Sequence, residues 1–551
     1  MLSKFCVEVY QSLFSSLCSV MVFMFKFSKT FRNHVKSESV ETEDECLSTL
    51  VKDDIFVEKA ISNAEYVSMN ENETDYENLL KSDQALVRKL DLHMFPLMCL
   101  TCAVQFMDKV AIASSSVMGL RDDLDVHDNL YSWIGSAFYF GYLIMHMGPV
   151  QLIFQKNKYM AKTLSLFIVL WGVLSCCQVS SNISYSSFMT LRVLIGCAES
   201  VVTPCFTIIT SQYWKPEEQF TRISIWFGMN GLGSIVLNSI AYGIFIRKKI
   251  YLITAWKILF LIIGSMAMLT GLVFFFWIPD DPSNALFLSE QEKRLVYLRV
   301  TGNDKATETP MFKTNQINEA LRDPRTWLYF FFTVTANIPN GGISNFLNIL
   351  LEGDFGYSTE DSLLMSLPTG AVEFVGCPLF GVLAYMAASR KVFFWKYRLS
   401  WAIFGAVLSL LASCLLAYSG NNKNAKLTGA FLWYISPISF ICVLSNISAN
   451  TQGYTKKWAV SSINLVAFAA ANVAGPQCFI DKQAPTYQGA KTSLVVCYCL
   501  MIGILTVIFC LNAIENRRRD KNQTNELSNM LCYDGIIDLT DFENPNFRYT
   551  L

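Results

Sequence analysis

Charge is what this sequence has little of. Only 16% of its 551 residues are Asp, Glu, Lys or Arg, and the 44 basic and 45 acidic side chains cancel to a net −1, with four histidines. No basic face of the kind that binds nucleic acid is present, so a nucleic-acid partner is excluded. Polar loops long enough to fold as a catalytic domain are also missing, which argues against an enzyme, and no cofactor or metal motif stands out. The Cys99 and Cys102 pair has metal-site spacing, but it lies within an apolar run and lacks a second pair. The 17 cysteines are scattered through apolar segments and read as small buried hydrophobes.

What is abundant is hydrocarbon. The chain is 52% hydrophobic, with a mean hydropathy of +0.33, far too apolar for a soluble protein of this size. A helix needs about 20 apolar residues to cross a bilayer. Twelve such runs are readable, at 92–116, 131–153, 161–181, 185–209, 221–246, 254–278, 326–350, 361–387, 393–418, 428–450, 458–479 and 491–513. They are continuous rather than alternating, which excludes a β-barrel.

The expected architecture is therefore an all-α membrane protein with 12 transmembrane helices in two six-helix halves, the pattern of a two-repeat transporter. Its parts are an N-terminal extension at 1–91, a first bundle at 92–278, a central loop at 279–325, a second bundle at 326–513 and a tail at 514–551.

Lys156, Lys158, Lys162, Lys215, Arg222, Arg390, Lys391, Lys456 and Arg517 fall on one side of this arrangement, with Arg247, Lys248 and Lys249 as the exception. The bias predicts that both termini are cytoplasmic, with the plasma membrane as the default location. Segment 5–26 is apolar but interrupted by Glu8, and reads as an interfacial or unstructured stretch ahead of an acidic tail. Asn182 lies in a sequon close to the membrane. Ser289 and Glu292 have capping-box spacing and predict a short surface helix in the central loop.

Against this background four ionisable residues stand out: Asp108 and Lys109 in the first run, Arg192 and Glu199 in the fourth. Four uncompensated charges at the bilayer centre would cost roughly 10 kcal/mol on insertion scales. Residues seven apart on a helix differ by about 20° in direction, so Arg192 and Glu199 share a face. At about 1.5 Å per residue, Asp108 and Arg192 fall in the same half of the membrane. They read as the lining of a substrate path, with Asp108 and Glu199 as proton carriers and Lys109 and Arg192 as contacts for an anion.

Other polar positions point to the same interior. The segment ANIPNGGISNFLNIL carries Asn337, Asn340, Ser344 and Asn348, and its Pro339, Gly341 and Gly342 predict a broken helix. Trp226 with Asn230, Glu373, Asn446 with Asn450, and Gln477 complete the set of candidate substrate contacts.

The segment LRVLIGCAES resembles the Arg-x-x-x-Gly-x-x-Glu pattern of the fourth helix in the anion:cation symporters of the major facilitator superfamily. PNGGISNF, NTQGYTKKW, IPDDPSNALFLSEQEKR and DLTDFENPNFRY resemble the fungal allantoate permease branch, over roughly residues 85–551. The resemblance implies a major facilitator fold and proton-coupled uptake of a small organic anion, such as a carboxylate, an allantoate-like compound or a vitamin acid, by alternating access. Its partners would be that anion, protons and the lipid bilayer, around a monomer without cofactor.

The same resemblance implies proton sites at Asp108 and Glu199 and anion contacts at Lys109 and Arg192. Bacterial relatives usually have Arg where Lys109 stands, and the loop GPVQLIFQKNKYM lacks the superfamily's Asp. A nutrient sensor on a transporter scaffold, and an uncoupled facilitator or exporter, are the alternative readings.

Overall fold

The computed structural model describes residues 73–126, 130–146, 159–180, 183–301, 313–390, 392, 394–522, 539–544 and 546–551. Segment 5–26, the loop at 147–158 and Asn182 lie outside them. Residues 87–551 form one compact unit, and apart from the opening turns of the first helix everything that follows lies in it.

Every apolar run read from the sequence is mainly helical where it is described. The first is α2 (Phe95–Ser115), preceded by α1 (Glu73–His93). Next come α3 (Leu130–His146), α4 (Met160–Cys177), α5 (Tyr185–Glu199) with α6 (Val202–Tyr213), α7 (Pro216–Ile246) and α8 (Ala255–Trp277). After α9 (Glu290–Thr301) and α10 (Thr314–Arg322) follow α11 (Pro324–Gly353), α12 (Thr359–Met365) with α13 (Leu367–Ser389), and α14 (Arg398–Tyr418). The chain closes with α15 (Lys423–Trp433) and α16 (Pro437–Asn450), α17 (Tyr454–Gln477) and α18 (Gln488–Asn522). Among the described residues, ten helical stretches are long and apolar enough to cross a membrane. The two crossings not among them are α3, described for only 17 residues, and α11, whose apolar character is diluted by Asn and Gly.

Local chemistry sets the helix starts. Ser184 accepts from the Ser187 amide at the head of α5, and Asp323, followed by Pro324, accepts from Arg325 at the head of α11. Ser289 and Glu292 form the expected capping box: the Ser289 amide donates to Glu292 at 2.8 Å and the Glu292 amide to Ser289 Oγ at 3.3 Å.

Packing repeats one plan in both sets of crossings. In the first, α2 packs on α7 and α8, α3 on α5, and α4 on α5 and α8. In the second, α11 packs on α17 and α18, α13 on α15, and α14 on α15 and α18. The sets meet along α2–α11, α3–α17 and α7–α13. Glycine brings these helices close. A Cβ at Gly141 would lie 1.9 Å from the Val193 carbonyl, and one at Gly196 would lie 1.9 Å from that of Phe138, so only hydrogen fits where α3 crosses α5.

The sequence-predicted break in α11 is absent: the helix runs through Pro339 without interruption. Gly341 and Gly475 serve packing instead, because a Cβ at Gly341 would meet the Asn472 backbone at 2.8 Å and one at Gly475 the Ile338 carbonyl at 2.5 Å. The interruption falls in the fourth crossing, between Glu199 and Val202. Pro204 has no amide to offer the carbonyl four residues back, that of Ser200, and the helix bends there.

The described residues past the last crossing make defined contacts. α18 extends to Asn522, and residues 539–544 and 546–551 dock on the ends of α10, α11, α16, α17 and α18. Arg519 donates to the carbonyls of Asn544, Phe547 and Asp541. Lys456 pairs with Asp541 at 2.7 Å and with Glu319 at 2.9 Å.

Candidate functional site

Asp108 is fully buried on α2 between two partners from other helices. Its Oδ2 pairs with Arg192 Nη1 at 3.1 Å, and its Oδ1 accepts from Ser175 Oγ of α4 at 2.9 Å. The Arg192 guanidinium, 1% exposed, faces the Phe260 and Phe188 rings at 4.9 and 5.5 Å from their centroids. Its Nε and Nη2 have no hydrogen-bond partner.

Glu199, two turns along α5, is fully buried, and neither of its oxygens has a hydrogen-bond partner. Asp108, Lys109 and Arg192 are all near enough to act on its charge. Gln105 donates to its backbone carbonyl at 3.3 Å. The Gly141–Gly196 crossing holds α5 against α3 at this level, which sets Tyr139 and Tyr142 near Glu199. His146, its ring tilted against that of Tyr142 with centroids 4.5 Å apart, reaches the Ser200 backbone that Pro204 leaves without its helical partner.

The Lys109 ammonium lies over the Phe138 ring, 5.6 Å from its centroid. Lys109 and Arg192 line one small cavity. Its other walls come from Ile112, from Gly135, Phe138 and Tyr139 of α3, and from Ser344 and Asn345 of α11. Gly135 makes the space: a Cβ there would meet the Asn345 side chain at 2.9 Å.

Polar and aromatic layers flank the cavity on two sides. Near the C terminus of α2, Tyr131 donates to the Asn345 carbonyl at 2.9 Å and Ser136 to that of Val473 at 2.8 Å. Gln477 donates to Ser136, and Phe346 stacks on Phe479 at 4.4 Å. Toward the other end, Tyr142, Phe468, Phe440 and Phe227 form a continuous aromatic contact, with centroids 5.6 to 6.3 Å apart.

The four charged residues singled out in the sequence therefore come together. Of the remaining candidates, Ser344 lines this cavity with them and the others do not. Asn337 and Asn340 bond to Asn472 of α17, at 3.4 and 3.0 Å, and tie two helices together. Asn348 donates to Ser114 of α2 at 3.2 Å. Asn446 and Asn450 donate to the Thr550 carbonyl at 3.0 and 2.9 Å, and Asn450 accepts from the Thr550 amide, so both are occupied by the docked tail.

Trp226 joins the aromatic layer, stacked on Phe227 at 4.8 Å. Asn230 acts on Glu373, away from the cavity. Sequence reading missed Ser175, Phe260, Gly135 and Asn345. None carries a periodic or charge signal, because each matters through a neighbour from another helix.

The sequence matches the Major Facilitator Superfamily over residues 97–476. It is 56% identical to the allantoate permease of Saccharomyces cerevisiae, over 95% of this chain and 96% of that protein. The chain belongs to the major facilitator superfamily, in its allantoate permease branch. It is therefore a multi-pass membrane transporter rather than an enzyme.

An uncharacterised transporter of Schizosaccharomyces pombe is 42% identical over 85% of this chain and 93% of its own length. The high affinity cysteine transporter of Saccharomyces cerevisiae is 28% identical over 90% and 91%. The fold matches that of the xylose transporter XylE from E. coli in a partially occluded inward-open conformation. That match has a TM-score of 0.54 at 15% identity and covers 74% of this chain and 96% of that one.

Proposed function

We propose that this transporter takes up a small organic anion together with protons, and that the anion is a ureido-carboxylate of the allantoate type. The reading rests on one observation: Arg192 and Lys109 line the same cavity while Glu199, whose oxygens lack partners, lies within electrostatic reach of both. Before the anion enters, two cations and two carboxylates balance. A carboxylate that enters alone would leave a net charge in an apolar interior, at a cost of several kcal/mol. A proton on Glu199 cancels it, so anion and proton are favoured together.

Arg192 can bind the anion through Nε and Nη2 without releasing Asp108, because those two nitrogens are free and the pair uses Nη1. Asp108 then serves as the fixed counterion. Allantoate has a carboxylate and amide-like ureido groups, which suits two cations beside Ser344 and Asn345. The similarity to an allantoate permease supports the same class. The Lys and Arg distribution supports cytoplasmic termini, and uptake of a nutrient suits the plasma membrane.

The test is uptake of labelled allantoate and other ureido-carboxylates into cells with this protein as their sole related permease. Uptake should rise as external pH falls and collapse with a protonophore. Accumulation indifferent to both would sink the coupling, and ligand binding without accumulation would sink transport itself.

A further inference from the structure

Glu373 is the buried carboxyl that the cavity does not use. It lies on α13, 2% exposed, where α13 crosses α7 from the other set of helices. The crossing is tight at three heights. A Cβ at Gly231 would lie 2.2 Å from the Gly370 carbonyl, one at Gly228 would lie 2.8 Å from Pro378, and one at Gly381 would lie 2.7 Å from Ser224. Glu373 is seated between these contacts, and its Oε2 has no hydrogen-bond partner.

The groups that face it are uncharged. Asn230 approaches from α7, Tyr434 from the turn between α15 and α16, and Cys377 from the next turn of α13. None is a cation, and Glu373 has no ion pair among the described residues. An ionised carboxylate in such a seat is unfavourable by several kcal/mol, whereas a protonated one keeps its hydrogen and needs only the Asn230 amide. The α7–α13 seam is one along which the two helix sets meet closely. Relative motion of the sets must rework that seam and change the access of water to Glu373.

We infer that Glu373 is a second proton-binding carboxyl, in the opposite half from Glu199, which is loaded and emptied as the α7–α13 seam closes and opens. This deepens the proposed proton coupling and rests on it. An O–H bond forms with a proton from water on one side of the membrane and breaks to water on the other, with no other co-reactant. Asn230 is then a positioning residue for this carboxyl rather than a substrate contact.

The deciding experiment has two arms on the full-length protein. In reconstituted vesicles, Glu373→Gln should lower the number of protons moved per anion by one, and Glu373→Asp should restore it. An unchanged ratio in Glu373→Gln overturns the inference.

The second arm needs no transport. Dicyclohexylcarbodiimide adds a protonated carboxyl across its C=N bond, with no leaving group, and the adduct rearranges to a stable N-acylurea. In a Glu199→Gln background the Glu373 peptide should carry this adduct, in amounts that fall as pH rises. Absence of the adduct overturns the inference even where Glu373→Gln does not transport. A wild-type protein that moves no protons, yet carries the adduct at Glu373, defeats the proposed coupling by itself.

Discussion

Asp108 and Arg192 form a 3.1 Å salt bridge between side chains that are 0 and 1% exposed, on helices 84 residues apart in sequence. The pair neutralises two charges that neither helix could carry alone through a bilayer, and it leaves two nitrogens of Arg192 available to an anion.

Removal of one member of a buried pair costs about 3–5 kcal/mol, because the other is left uncompensated. Asp108→Asn should therefore reduce the amount of folded protein in the membrane, measured by immunoblot or by thermal stability in detergent. Arg192→Lys keeps the charge but loses the fork and the stacking on Phe188 and Phe260. Its KM for the anion should rise roughly tenfold, equivalent to about 1.4 kcal/mol, in an uptake assay at fixed pH.

Glu199→Gln replaces the carboxyl with a neutral group of the same shape. Concentrative uptake should be lost and its pH dependence with it, while exchange of labelled for unlabelled anion across preloaded vesicles persists. Loss of exchange as well would assign Glu199 to substrate binding instead.

Gly135→Ala should weaken anion binding more than it lowers the amount of folded protein, because the added methyl displaces the Asn345 amide at the cavity wall, a side-chain end rather than backbone. Gly196→Val should do the opposite. Its side chain meets the Phe138 carbonyl, so α3 and α5 must separate, and folded protein should fall sharply. Size-exclusion profiles compared with ligand-induced thermal shifts distinguish the two.

The docked tail predicts a stability effect far from the cavity. Tyr549 is 2% exposed, and its hydroxyl donates to Asp541 at 2.7 Å. Burial, and then the Asp541 carboxylate, push the phenol above its ordinary value. An acid whose folded value is raised adds stability below its unfolded value, here about 10, and loses it as pH rises further. Limited proteolysis should therefore release the tail only above about pH 10. Tyr549→Ala should release it at neutral pH, and deletion of 539–551 should lower the melting temperature.

Much of the fold was legible in the amino-acid order because a bilayer permits so few solutions. Each apolar run had to be a helix, since no water is available to satisfy its backbone. The capping box at Ser289 and Glu292 is equally local and reads directly. The broken helix expected at Pro339 shows the limit of local reading. Gly341 and Gly342 are there for the close approach of α17, while the bend lies four residues before Pro204.

The site was half legible. Arg192 and Glu199 share a face by helical arithmetic, and charge in an apolar run is an energetic signal that needs no partner to be noticed. Asparagine sends no such signal. Asn337, Asn446 and Asn450 read alike in sequence, yet one ties α11 to α17 and the other two hold Thr550.

By itself, the sequence determined the twelve helices, the membrane as solvent and the four charges that must compensate one another, because each follows from the cost of polar groups in hydrocarbon. The tertiary structure decided which charges pair, that Glu199 is left without a hydrogen-bond partner, and which glycines bring the helices close enough to form the cavity. Those outcomes depend on contacts between residues far apart in the chain, and no local pattern encodes them.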